Sequence, residues 1–312
     1  MSAAQDQLTA GNVLSSPPAI FDYSNAAYLK AAVTAWSSCE APPKPATPAA
    51  ATVDLEAIAT QRNGDMPLMD ITQGDTNMCS AFAFAQGYSL KYALDGKPGS
   101  IVPQLSPVYA YYLQRVEECS TTGVCPCPKC PPSTTCVSTC DPPCVDCGSY
   151  ILSAASIYGA GVCTAADWPL STPINTKPSP AARKAAANQR VAGLTCVPVD
   201  AGGICAHLAA GNPVILFLNI TDAHLKWMQA LVNASVSTTN PAVTSSAVEI
   251  VYAPGDKATA GHVVCAVGYT ADVLIIRNSY GFKWGAQGRF AIPLASVVLA
   301  FIHEAAAITM VK

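Results

Sequence analysis

Charge is scarce in this chain. Only 12% of its 312 residues are Asp, Glu, Lys or Arg, too few for a solvated, disordered polymer. The formal net charge is −3 and no basic run occurs, which argues against nucleic acid and anionic membrane surfaces as partners. No stretch reaches the roughly eighteen unbroken apolar residues of a membrane span. The opening "MSAAQDQLTAGNVLSSPPAIFDY" has neither a basic start nor an apolar run, so no signal peptide is expected. The expectation is a soluble monomer not exported by the usual route, in a cytoplasm or a virion. Histidine is rare, with His207, His224, His262 and His303 the complete set. No repeat of domain size is present.

Apolar residues and cysteines are abundant instead. The apolar share is 51%, enough for the core of one large two-lobed domain or two small ones. Of the 14 cysteines, eight crowd between Cys119 and Cys147. In an exported protein that tract would read as a disulfide knot. Zinc is a second reading, on Cys125, Cys127, Cys130, Cys144 and Cys147. Zinc sites show two clean pairs, whereas C-x-C, C-x2-C and C-x3-C spacings follow one another here. The expectation is therefore a surface insertion without metal, its thiols bridged or free. Cys163, Cys196, Cys205 and Cys265 sit in apolar contexts and read as packing residues. Asn219 in "NIT" and Asn233 in "NAS" fit a glycosylation pattern that is meaningful only in an exported protein.

The chain divides by composition. "SNAAYLKAAVTAW" predicts one helix within residues 1–39, with Ser24 as its N-cap. "EAPPKPATPAAAT", residues 40–52, reads as a linker, and the main domain occupies 53–312. Its first half reads as helical. Thr76 or Asn77 is expected to cap a helix from Cys79 to Leu94, stopped at Asp95 and Gly96. "SPVYAYYLQRVEE" begins a second helix, with Ser106 as cap and Pro107 in the first turn. "SYILSAASIYG" is a third, and "GICAHLAAG" a further one. The second half offers short branched and aromatic runs: "PVILFLNI", "AVEIVYA", "HVVCAVGY", "DVLIIRNSY" and "GRFAIPL". His224 is expected in a loop after the first of these. "ASVSTTNPAVTSS", residues 234–246, is a polar loop. Helices followed by strands imply an α+β chain with two lobes, and a cleft between lobes is a natural binding site.

The stretch "QGDTNMCSAFAF" carries the chemistry. A thiol is mostly protonated at neutral pH, and a helix N-terminus and a neighbouring imidazolium both favour the thiolate. Cys79 stands at such a helix start. His262 opens the apolar strand "GHVVCAVGY", where a rigid support can project it into a cleft. Asn278 follows 16 residues later, a spacing that fits a strand, a turn and a return strand, and its amide oxygen can hold one ring N–H. Gln73 lies six residues before Cys79, so its amide and the Cys79 N–H can serve a developing oxyanion together.

These motifs resemble the papain-like cysteine peptidases. That family has Gln, then Cys six residues on at the start of a central helix, then a "GH" or "DH" opening a strand that ends "VGY", then "NSWG…WG". Here Gln73, Cys79, His262 and Asn278 stand in the same order, within "GHVVCAVGY" and "NSYGFKWG". Weaker matches are "LSPVYAYY", "DCGSYILSAASIYGAGVCTAADWPL", and "VDLEAI" at residues 53–58, the last similar to the domain start of short-prosegment bacterial and viral members. The resemblance covers roughly residues 52 to 300. It departs at "TNMCSA", which lacks the first cysteine of "CGSCW" and the disulfide that cysteine usually makes, and at Tyr280, which replaces a tryptophan.

The resemblance implies a papain-like two-lobed fold, a helical lobe packed on an antiparallel sheet or barrel, and hydrolysis of peptide bonds through a Cys79–His262–Asn278 mechanism with Gln73 at the oxyanion. It implies substrate-backbone pairing by Gly148 and Ser149. It also implies an apolar pocket lined by Tyr150, Ile151 and Ala260 beside Gly261, and an aromatic lid of Tyr280 and Trp284. The partners implied are a peptide or protein substrate and, as a short inhibitory pro-region, residues 1–39, with no cofactor. Two alternatives stay open: a non-catalytic binding or structural protein on the same fold, and a thiol acyltransferase, since attack by water and by an amine share one acyl-enzyme.

Overall fold

The computed structural model describes residues 52–122, 146, 148–232, 250, 252–253, 255, 257–298 and 301–312. The N-terminal helix, the linker, most of the cysteine tract and the polar loop 234–246 lie outside these residues. So does most of "AVEIVYA", of which Ile250 donates its N–H to the Ala291 carbonyl at 2.9 Å.

The described chain opens with β1 (Val53–Asp54) and α1 (Leu55–Asn63), and four helices follow: α2 (Cys79–Asp95), α3 (Pro107–Thr122), α4 (Ile151–Ala160) and α5 (Pro180–Ala186). Then come β2 (Val191–Cys196), α6 (Ala201–Ala209), β3 (Val214–Ile220), α7 (Asp222–Val232), β4 (Ala260–Tyr269), β5 (Val273–Arg277), β6 (Arg289–Pro293) and β7 (Ile302–Val311). The strands form one antiparallel sheet in the order β2-β7-β3-β4-β5-β6, with β1 on β4.

α2 is buried almost all round, as its unbroken apolar sequence demands. It lies flush on the sheet at Gly87, where a β-carbon would stand 2.8 Å from Cδ1 of Ile308 and 3.2 Å from Cδ1 of Ile215. Its C-terminus stops at Gly96, whose N–H returns to the Tyr92 carbonyl at 2.9 Å. Ser106 caps α3 as expected, accepting from the Tyr109 N–H at 3.2 Å.

Polar ties join the start of the domain to the sheet. The buried Glu56 carboxylate receives the buried Arg277 guanidinium in a two-pronged pair, with Nε donating at 2.6 Å. Asp54 accepts from Arg289 at 2.9 Å. Two charges leaving water together need this geometry to recover their desolvation. The pair anchors β5 immediately before Asn278.

The helices α1 and α5 were not foreseen, and three further elements differ from expectation. β2 and β7 were not foreseen, because "VAGLTC" and the alanine-rich "IHEAAAITMV" carry few of the branched and aromatic residues that mark strands. The segment holding His224 is the helix α7 and not a loop. Thr221 and His224 bond each other's backbone N–H at 3.3 and 3.2 Å, which closes the first turn. Cys196 is disulfide-bonded and so is not a lone packing thiol, whereas Cys163, Cys205 and Cys265 are buried free thiols.

In β7 the register slips between Phe217 and Leu218 of β3, which pair with Glu304 and Ile302. This bulge brings Glu304 opposite Phe217. Glu304 is 3% exposed, both its carboxylate oxygens lack a hydrogen-bond partner, and burial pushes its carboxyl up to about 7.

Candidate active site

The site begins with a missing cap. Met78 occupies the N-cap of α2 and makes no side-chain cap bond. Neither expected residue serves. Thr76 turns its hydroxyl to the Gln73 carbonyl, and the Asn77 amide donates to the Asp146 carbonyl at 2.9 Å. The leading N–H groups of α2 are therefore left to the cleft, where the helix dipole favours negative charge. The N–H groups of Val263, Ser80 and Cys79 itself lie close enough to the Cys79 sulfur to favour its thiolate.

β4 delivers the histidine. His262 Nε2 meets Asn278 Oδ1 at 2.9 Å, and the Ser279 N–H reaches the same oxygen at 2.8 Å. Two donors on one atom identify it as the amide oxygen and assign the ring proton to Nε2. Nδ1 is then the bare nitrogen, and His262 and Cys79 line the same cleft. Asn278 is held in turn by its own N–H to the Gly288 carbonyl at 2.9 Å and by the Gln86 amide on its carbonyl at 3.0 Å. Tyr280 lies nearly parallel to the His262 ring at 5.5 Å, and Trp284 meets Tyr280 edge-on at 5.5 Å. The Trp284 indole N–H is fixed on the Met228 carbonyl at 3.0 Å.

Gln73 is oriented from both ends. Its Oε1 accepts from the Ser279 hydroxyl and its Nε2 donates to the Thr76 carbonyl, so the amide presents its nitrogen side to the cleft. Its backbone N–H bonds the Ser279 carbonyl at 2.8 Å. Ser279 thus joins Gln73 to Asn278, a link that the sequence reading missed although "NSYG" contained the residue.

Asp146 is a second residue missed. Its carboxylate accepts the Asn77 N–H at 3.1 Å through both oxygens and also the Tyr111 hydroxyl, while Tyr111 receives the Gly148 N–H at 2.9 Å. The turn before Cys79 and the segment entering α4 are clasped together at this point. No local pattern marks a contact between residues 69 apart.

Burial works against each charge separately. It pushes the Cys79 thiol up to about 11, the negative Asp146 adding to the rise and the backbone donors opposing it. It pushes His262 down to about 4, against the bond to Asn278. A lone thiolate or a lone imidazolium is therefore disfavoured, whereas proton transfer from one to the other creates a contact pair of zero net charge.

The cleft spans about 360 Å³ of empty space that opens to solvent. Its lining combines polar groups, from Gln73, Asn77, Cys79 and His262, with the small Ala260 and Gly261 and the larger apolar Ile220, Leu225, Met228 and Tyr280. Leu225 and Met228 lie three residues apart on α7, a helical spacing that "DAHLKWMQALV" offered. The expected substrate-contacting residues are split. Ala260 and Gly261 line the cleft, while Ser149, Tyr150 and Ile151 are buried and are not among its lining, and the Gly148 N–H is committed to Tyr111. Ser149 bonds Ser80 and Gln114. His207, His224 and His303 stand apart from the cleft. Among the described residues no group of three or more His, Cys, Asp or Glu is placed to hold a metal ion, and no helix is long and apolar enough to cross a membrane.

No family model matches the chain, and no curated protein does. Solved structures do. Xylellain, a cysteine protease from Xylella fastidiosa, is 21% identical with a TM-score of 0.63, over 94% of this chain and 92% of that one. A Carica candamarcensis cysteine protease in complex with E-64 is 15% identical with a TM-score of 0.51, over 82% and 97%. Digestive procathepsin L 3 from the larval midgut of Tenebrio molitor is 16% identical with a TM-score of 0.52, over 89% and 78%. At these identities the likeness is one of fold, and the chain has the papain-like fold.

Proposed function

We propose that this protein is a cysteine peptidase in which Cys79, His262, Asn278 and Gln73 hydrolyse peptide bonds. The observation that carries the reading is the doubly held Asn278 oxygen, which fixes Nε2–H on His262 and leaves Nδ1 as the base for the thiol. Cys79 passes its proton to Nδ1 and its sulfur attacks the peptide carbonyl. The Cys79 N–H and the Gln73 amide receive the oxyanion. The imidazolium protonates the departing amine, and neutral His262 then takes a proton from the water that cleaves the thioester. Tyr280 and Trp284 cover the His262–Asn278 bond. The catalytic domain is residues 53–312, with insertions at 119–147 and 234–246. Residues 1–39 serve as a short inhibitory pro-region, a reading supported by the pro-form among the similar structures.

Incubation with a papain-directed epoxysuccinyl inhibitor, followed by peptide mass mapping, tests the proposal. The expected result is one adduct, on Cys79, lost in Cys79→Ala and His262→Ala. Failure to label Cys79 both in the folded full chain and in one beginning at Thr52 would favour the non-catalytic alternative.

A further inference from the structure

Two arginines stand directly opposite each other where the loop that carries Asn278 leaves the sheet. Arg277 ends β5, Arg289 begins β6, and the two are cross-strand partners. They are 2% and 4% exposed. Like charges in that position repel, and burial removes the water that would screen them. Two carboxylates at the junction of β1 and α1 offset them. Glu56, 1% exposed, accepts from Arg277 Nε at 2.6 Å and from Nη2 on its other oxygen. Asp54 accepts from Arg289 Nη1 at 2.9 Å, and that nitrogen lies 3.8 Å from Glu56 Oε2.

The loop between the arginines, residues 278–288, holds Asn278, Ser279, Tyr280 and Trp284. Arg277 reaches into it. Its Nη1 donates to the Gln287 carbonyl, and its guanidinium lies 4.9 Å from the centre of the Phe282 ring. Gln287 has a φ of +56°, the one positive value at a non-glycine among the described residues. Such a conformation persists only where the surroundings impose it. At the next position, a β-carbon on Gly288 would stand 2.4 Å from Arg277 Nη1. The Gly288 carbonyl is the one that accepts the Asn278 N–H, so the guanidinium shapes the turn that holds Asn278.

Resting on the peptidase reading, we infer that Glu56, assisted by Asp54, is a positioning residue for the reaction: through Arg277 it fixes the loop that presents Asn278 to His262. Glu56 is not part of the cleft lining. Its charge decides where the arginines settle. Without it, two buried positive charges face each other across β5 and β6, with Asp54 as the remaining carboxylate of the two. A buried pair that loses one partner leaves the other uncompensated. The strand ends are then driven apart where Asn278 begins, and the oxygen that holds the His262 Nε2–H moves with them. Asp54 acts more weakly, because its carboxylate is partly exposed.

A double-mutant cycle tests this. The readout is the rate of Cys79 alkylation by iodoacetamide at pH 7 in the unsubstituted full chain, Glu56→Gln, Asn278→Ala and the double variant, with circular dichroism to confirm folding. Glutamine keeps the outline of the side chain and removes its charge. Glu56→Gln is expected to slow alkylation by at least about tenfold, the scale of a small misplacement of a reacting group. In the Asn278→Ala background it should slow it by less than about twofold, because the route through Asn278 is already gone. Should Glu56→Gln fail to fold, Asp54→Asn, which keeps the N-cap acceptor of α1, carries the same cycle with a smaller loss. Losses that are equal with and without Asn278, or an unchanged rate in the folded variant, overturn the inference; rapid alkylation of the unsubstituted protein then leaves the peptidase reading intact. Slow alkylation of the unsubstituted protein at pH 7 removes both.

Discussion

Asn278 gives one oxygen to two N–H donors, and that small arrangement decides which nitrogen of His262 is basic. It also sets a residue-scale prediction. Without His262 the Cys79 thiol has no internal base and titrates where burial puts it, at about 11. Its thiolate fraction then falls tenfold for each pH unit below that value. In His262→Ala, iodoacetamide alkylation of Cys79 should therefore be very slow at pH 7 and climb about tenfold per unit until pH 10 to 11. In the unsubstituted protein it should already be rapid near neutrality. A rate followed by peptide mass spectrometry across pH 5 to 11 checks this, and superimposable profiles would show that His262 takes no proton from Cys79. At this scale the sequence was most informative. Gln73, Cys79, His262 and Asn278 are polar residues of distinctive type in a distinctive order; the first three line one cleft, and Asn278 is bonded to His262 from the interior. Ser279 and Asp146 were not legible as partners, because a hydroxyl or carboxylate that serves residues 206 or 69 positions away leaves no periodicity in the chain.

Among the elements, α2 keeps its first turn uncapped and is steadied from outside by Asp146. Substitution Asp146→Asn keeps an acceptor but removes the charge. Two opposite effects are expected. The negative charge that raises the Cys79 thiol disappears, so the alkylation profile should move to lower pH. The looser turn should lower kcat about tenfold or more by misplacing the oxyanion donors, and stability should fall by about 1–3 kcal/mol through the weakened bonds to Asn77 and Tyr111. A mutant with an unmoved profile and unchanged kcat would make the clasp irrelevant to the site. Element type was readable where local signals were strong: the apolar run of α2, the Ser106–Pro107 start of α3, and the branched runs of β3, β4, β5 and β6. It was unreadable in β7, where alanines carry neither strand nor helix periodicity and only pairing with β2 and β3 decides. It was missed in α7 because a helix between strands broke the expected order, although its spacing was present.

Taken whole, the molecule carries a charge deficit at its centre. Glu304 is buried without a partner, and burial raises its carboxyl from 4.5 to about 7. The folded state holds a proton there that the unfolded chain has released, so this site contributes stability on the acid side that is lost as pH rises from about 4.5 through 7. The full difference is on the order of 3 kcal/mol. Glu304→Gln, a permanent stand-in for the neutral form, should match the unsubstituted protein at pH 4 and exceed it by up to about 3 kcal/mol at pH 8 in urea denaturation. Parallel stability–pH curves would show that the carboxylate finds a partner in solution.

The position of β7 has a further consequence. It is the last strand in chain order, yet it lies inside the sheet, between β2 and β3. During vectorial synthesis, β2 and β3 emerge more than eighty residues before the strand that must separate them, and non-local pairings of this kind form late. Until residues 302–311 leave the ribosome, the sheet that carries His262 ends at β3 and β2 has no strand to pair with. Under the peptidase reading, Cys79 is by then long out of the ribosome, carried on a nascent chain whose histidine-bearing sheet is still incomplete.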